Sequence, residues 1–200
     1  MRSRDLKGKL IVSLAVVLLV SISQVVWAGE PTKQLKEHVD EMISILSNKS
    51  LSTKEKHQKV YKILDEAVDW DEVAKRVLGI HWRRRTPEER ERFKVLFKDF
   101  VEAKYAKRFE MYSGEKVYFG KETVEGDYAS VLVKIETKQN RTFTMENRMV
   151  LKNGKWLIYD ILIEGISMVN NYRTQINNII AKHSFKGLIK ILERKAAQKK

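Results

Sequence analysis

Two rhythms of apolar residues divide this chain. Up to about residue 114 the apolar positions recur every three or four residues, and beyond it they alternate. Leu35, Val39, Met42, Ile43 and Leu46 mark one face of a helix over residues 31–48. Ser52 with Glu55 is a capping box that opens a second helix, whose inward positions are Val60, Tyr61, Ile63, Leu64 and Ala67. Asp69 and Glu72 open a short third helix that ends near Gly79. Thr86-Pro87-Glu88-Glu89 is the sharpest start signal: a capping threonine, proline at the first helical position and a glutamate that reaches back. The stripe that follows, Phe93, Leu96, Phe97, Phe100, Val101, Tyr105, Phe109 and Tyr112, predicts a long helix up to Gly114 that lies against a sheet or a bundle.

The alternating part predicts an antiparallel sheet. A first strand covers residues 117–124 and turns at Gly126-Asp127; a second, 128–137, puts Val131, Val133 and Ile135 on one face. A third, 141–152, puts Phe143, Met145, Met149 and Leu151 opposite Thr142, Thr144, Glu146 and Arg148. Asn153-Gly154 is a strong two-residue hairpin signal. The last strand, 156–163, is apolar on both faces, with Trp156, Ile158 and Leu162 on one and Leu157, Ile161 and Ile163 on the other. The pattern then passes through Gly165 into a helix to about His183, and a final helix begins at Ser184. The expected fold class is α+β: a curved antiparallel sheet of about four strands with a layer of helices.

The N-terminus changes the picture of where the chain works. Arg2, Arg4, Lys7 and Lys9 precede an apolar run over residues 10–20, and Val26-Trp27-Ala28 supplies a small-x-small exit. This is the form of a cleavable secretory signal over residues 1–28, with an uncleaved anchor as the rival reading. A single domain is expected over 29–200, helical over 29–114, sheet over 115–164 and helical again over 165–198. The chain of 200 residues has no cysteine, which excludes disulfides and thiolate metal sites, so its core alone must hold it together. Its formal charge of +13 favours polyanionic partners. Export makes nucleic acid the wrong one and leaves anionic headgroups, an acidic protein or a merely solvated basic surface.

Little in the pattern looks catalytic. His38, His57, His81 and His183 form no metal-ligand pair, and no nucleophile elbow, phosphate loop or dinucleotide fingerprint is present. Asp160 and Glu164 flank the apolar strand and are candidate general bases, against the simpler expectation that they bond to backbone or to Arg173. His81-Trp82-Arg83-Arg84-Arg85 either touches phosphate or forms a solvated turn with Trp82 on the core.

The mature chain resembles the periplasmic phospholipid-binding proteins of the MlaC, toluene-tolerance family, over roughly residues 35–192. The resemblance is carried by Asp69-Trp70-Asp71-Glu72-Val73-Ala74 with Val77-Leu78-Gly79 and Trp82, and by Thr86-Pro87-Glu88-Glu89-Arg90 with Phe93 and Phe97. It continues through Tyr105, Tyr112-Ser113-Gly114, Trp156-Leu157-Ile158-Tyr159-Asp160-Ile161, Ile163-Glu164-Gly165-Ile166-Ser167 and Asn171-Tyr172-Arg173. The Arg83-Arg84-Arg85 run is more basic than the family pattern.

The resemblance implies a cup of the NTF2-like kind with an apolar pocket, and a soluble periplasmic carrier of phospholipid with no cofactor. Its implied partners are an inner-membrane ABC transporter complex and an outer-membrane lipoprotein–porin complex, in the service of outer-membrane lipid asymmetry. On that reading the expected tail-lining residues are Leu96, Phe97 and Phe100 from the long helix, and Val131, Val133, Met149 and Leu151 from the middle strands. Ile158, Ile161 and Ile163 from the last strand, with Ile166 and Met168 beyond it, complete the set. The competing classes are an enzyme on the same kind of cup, using Asp160 or Glu164 with Tyr159 or Tyr172, and an envelope adaptor that binds only proteins.

Overall fold

The computed structural model of the chain describes residues 30–197, so the expected export signal lies outside the described residues. Four helices come first: α1 (Glu30–Ser47), α2 (Thr53–Ala67), α3 (Trp70–Leu78) and α4 (Pro87–Glu110), with a 3-10 helix over Gly79–Arg84 before the fourth. Their starts follow local chemistry. Ser52 and Thr86 each form a complete capping box with Glu55 and Glu89, and the Asp69 carboxylate accepts from the Glu72 amide at 2.9 Å. Gly79 ends α3 at φ 54°, where a Cβ would also stand 3.3 Å from the Arg173 side chain.

The sheet follows as β1 (Lys116–Glu125), β2 (Tyr128–Glu136), β3 (Thr142–Lys152), β4 (Lys155–Ile163) and β5 (Ile166–Ser167), then α5 (Met168–Ala196). It is antiparallel throughout, in the order β1-β2-β3-β4-β5, and does not close. The architecture is therefore α+β as expected, with a short fifth strand added to the expected four. The passage from strand to helix is a tight hairpin: Glu164 and Gly165 both sit at positive φ, 48° and 77°, and fold β5 back on β4. α5 contains a break at Ser184 (φ 61°), where the expected second helix begins.

One expectation about faces is corrected. Met149 pairs with Ile158 while Arg148 pairs with Asp160, so Tyr159 is an extra residue, a bulge in β4. One extra residue reverses the parity of everything after it. Trp156 and Ile158 therefore share a face with Ile161 and Ile163, and Leu162 lies on the opposite face with Asp160.

The buried residues form two cores. A helical core is built by Val73, Ala74, Val77 and Leu78 of α3, Phe93 and Phe97 of α4, and Val169, Tyr172, Ile176, Leu188 and Leu192 of α5. A sheet-side core is built by Ala129, Val131, Val133, Met149, Trp156 and Ile158 under Leu35 of α1 and Ala67 of α2. Val68, between α2 and α3, packs on both, and its bridge to Ile158 pins the α2–α3 connection to the middle of β4. The Asp69 amide adds a 2.9 Å bond to the Ile158 carbonyl, and Lys152 pairs with the Asp69 carboxylate.

Candidate functional site

Register decides which side chains meet on the α1 face of the sheet. Val131 stands opposite Asn147, Val133 opposite Met145, and Ile135 opposite Phe143. Asn147 and Met145 in turn stand opposite Ile161 and Ile163. On β1, Val117 and Phe119 pair with Ile135 and Val133 and share that face. α1 covers one end of it: the Thr32 amide donates to Glu122 at 2.8 Å, and Gln34 accepts from the Trp156 amide at 2.8 Å. Beneath α1 the side chains are buried. Toward the other end Val117, Phe119, Ile135, Phe143, Met145, Ile161 and Ile163 are only half-buried, and Phe143 and Ile163 belong to neither core.

The expected lining residues are divided between the two cores. Val131, Val133, Met149 and Ile158 are buried in the sheet-side core, and Leu151 and Ile161 pack against it. Ile163 continues the same face toward its open end. Phe97 is buried in the helical core, stacked on Phe93 at 5.5 Å and edge-on to Tyr172 at 5.3 Å. Leu96, Phe100 and Met168 pack on that core. Ile166 is 64% exposed and lines an open groove of about 510 Å³ with Arg148, Leu162 and Asn170. The long helix does not lie on the sheet. α4 packs chiefly on α5, α3 and α2, and of its aromatic stripe only Phe93 and Phe97 are fully buried. Phe119, Ile135, Phe143 and Met145 were missing from the expected lining, although strand alternation already placed Ile135, Phe143 and Met145 on the face of Val133 and Met149.

The candidate acids are engaged in holding the fold. Asp160 accepts from the Ser167 hydroxyl at 2.6 Å and from the Val169 amide at 3.0 Å, which fastens the start of α5 to β4. Glu164 accepts from the Thr144 amide and, at 3.1 Å, from its hydroxyl, across the mouth of the hairpin. Arg173 bonds neither acid; its Nε donates to the Arg76 carbonyl at 2.6 Å. Burial pushes the Tyr172 and Tyr159 phenols above their ordinary range, the latter opposed by the Arg76 guanidinium 4.2 Å from its ring centre. Among the described residues no group of three or more His, Asp or Glu side chains could hold a metal ion. Glu102, 1% exposed in α4, was not anticipated; its backbone carbonyl accepts from Tyr61 and its carboxylate lies 3.9 Å from Lys98.

The MlaC protein family model matches residues 36–194. The chain belongs to the MlaC protein family. A curated relative, the intermembrane phospholipid transport system binding protein MlaC of Haemophilus influenzae, is 26% identical over 136 residues. That match covers 66% of this chain, and the chain spans 64% of the length of that relative. Among solved structures, the phospholipid-binding protein from Ralstonia solanacearum in complex with a phospholipid superposes with a TM-score of 0.74 at 21% identity. The match covers 85% of this chain and 98% of that one, so the two share a fold over most of their length. Among those residues no helix is long and apolar enough to cross a membrane.

Proposed function

We propose that this MlaC-family chain is an exported carrier of phospholipid that works in the periplasm. It takes lipid by the acyl tails and passes it between an inner-membrane ABC transporter complex and an outer-membrane lipoprotein–porin complex. The observation that carries the tail-binding reading is the surplus of half-buried apolar side chains at the end of the sheet face that α1 leaves uncovered. Phe119, Ile135, Met145 and Ile161 pack on the sheet-side core without being fully buried, and Phe143 and Ile163 carry the same face beyond it. The name of the Haemophilus influenzae relative and the phospholipid in the Ralstonia solanacearum structure support the same reading.

The energetics suit a shuttle. Each buried methylene contributes about 0.8 kcal/mol, so two tails contribute on the order of 20 kcal/mol. That is enough to hold lipid in water, and release must be driven by what the carrier meets at each membrane. The tails need a dry wall and few polar contacts, since the headgroup stays in water. Asp160 and Glu164, which suggested an enzyme, are already committed to the α5 cap and the β4–β5 hairpin.

Native mass spectrometry of the chain from Gly29 onward, with organic extraction, tests the reading. About one diacyl phospholipid per chain is the expected added mass. A bare polypeptide that also takes no lipid from vesicles would refute it. Val133→Trp and Ile163→Trp fill the proposed site and should block loading with the fold intact. Wild-type lipid in both variants would move the site elsewhere.

A further inference from the structure

The basic run between α3 and α4 takes no part in the sheet face. The run meets α5 at two points: Gly79 packs on the Arg173 side chain, and the Arg85 guanidinium stands 4.7 Å from the Phe185 ring centre. Trp82 packs on the helical core with Arg90 5.1 Å from its ring centre, which holds the segment in place. Ile80, by contrast, is 80% exposed, ahead of Met111 at 74% among the exposed large apolar side chains. Arg83 and Arg84 beside it are exposed, as are Lys182 and Lys186 on either side of the break in α5.

Charge around this corner is one-sided. Neither the 3-10 helix nor α5 from Met168 to Leu192 contains an aspartate or glutamate. Of the acids that bound the run in the chain, Asp71 is paired with Lys94, Glu72 with Arg76 and Lys75, and Glu89 with Arg85. Glu88, on the first turn of α4, is exposed and is the first carboxylate after the run in the chain. Among the described residues Arg83, Arg84, Lys182 and Lys186 have no ion-pair partner.

We propose that this corner docks on an anionic phospholipid surface, with Ile80 entering the headgroup layer and Arg83, Arg84, Lys182 and Lys186 engaging phosphates. Guanidinium groups bind phosphate oxygens in pairs, and long lysines reach a diffuse surface without a fixed geometry. A protein partner of comparable strength wants a packed apolar centre with a rim around it. A lone aliphatic side chain protruding among cations suits a fluid bilayer, which closes around it. The contact lies apart from the proposed tail site, so it stands or falls independently of the carrier reading.

The test is co-sedimentation of the chain from Gly29 onward with vesicles; this form keeps every described element and omits the apolar N-terminal run. Vesicles containing roughly a third phosphatidylglycerol in phosphatidylcholine should bind it, and pure phosphatidylcholine should not. Binding should fall steeply by about 1 M NaCl, where the screening length is roughly 3 Å. Arg83→Glu with Arg84→Glu should weaken it about tenfold or more. Ile80→Ser should weaken it several-fold and abolish the remainder that survives salt. Lys54→Glu with Lys59→Glu, on exposed positions of α2, makes the same change in net charge and should leave binding within twofold. Equal losses in both double variants would mean diffuse charge rather than this corner. Undiminished binding in the Arg83/Arg84 variant, or poly-glutamate binding as tight as vesicles and indifferent to Ile80→Ser, would overturn the proposal.

Discussion

The helical core and the sheet face are made of the same kinds of residue, yet only one of them is closed. Val77, Leu78, Phe93 and Leu188 are completely buried between α3, α4 and α5. On the sheet, burial is complete under α1 and then fades along the same strands, so that Val131 and Val133 are covered while Ile135, Phe143 and Ile163 are only half so. A core that closes on itself stabilises the chain. Apolar surface that the fold leaves unfinished has to be finished by something else. The contrast therefore separates residues that hold the molecule together from those that the proposed carrier function assigns to the acyl tails.

The largest effect should come from the closed region. Phe93→Ala removes a ring that is 0% exposed and stacked on Phe97. It should cost about 3–5 kcal/mol in denaturant unfolding, while the lipid bound per folded chain stays constant. A variant that keeps its stability but loses lipid would place the tail site in the helical core and break the comparison.

The joint between the regions comes next. Asp160, in the middle of the bulged strand, accepts two bonds from the start of α5, so Asp160→Ala should cost about 2 kcal/mol. Hydrogen exchange should show the Val169 amide losing protection first. A stable variant with unchanged exchange there would return Asp160 to the list of groups free for chemistry.

At the open end, Phe143→Ala and Ile163→Ala should each cost only about 1–2 kcal/mol, less than Phe93→Ala, because both side chains are partly exposed and belong to neither core. Each should nevertheless lower the lipid recovered with the protein by half or more. This is the reverse of the Phe93 pattern, and it is the pair of outcomes that sharpens the division most.

These elements differ in how far the sequence shows them. Capping boxes at Ser52 and Thr86, the Asp69 cap and the Asn153-Gly154 hairpin depend on residues a few positions apart, and each stands where its local signal put it. The Tyr159 bulge has no such signal. It is settled by pairing between strands, and it moved Ile161 and Ile163 onto the face of Ile158, where simple alternation had separated them. The partners of α4 were equally hidden: an aromatic stripe shows that a helix is covered, not by what. That is why Leu96, Phe97 and Phe100 went with the expected sheet-side lining and stand instead with the helical core.

The smallest effect belongs to a polar atom of the helical core. The Tyr172 hydroxyl lies 3.5 Å from that of Tyr105, too long for a strong bond, so Tyr172→Phe should change stability at neutral pH by no more than about 0.5 kcal/mol. Its signature should appear in alkali. Burial holds the Tyr172 phenol above its ordinary range, whereas in the unfolded chain a tyrosine releases its proton near pH 10, roughly its usual value. Above that pH the unfolded state binds fewer protons than the folded one, so stability falls as pH rises, by up to about 1.4 kcal/mol per unit for this group. Lys152, held above its usual range by its bond to Asp69, loses its contribution in the same direction, so the difference between the two proteins is what isolates the tyrosine. Unfolding curves of wild type and Tyr172→Phe should coincide below about pH 9 and separate above it, with the variant the more stable. Curves that stay together to pH 11 or so would show that water reaches the phenol, and that the helical core is open at the side where it faces the half-buried half of α4.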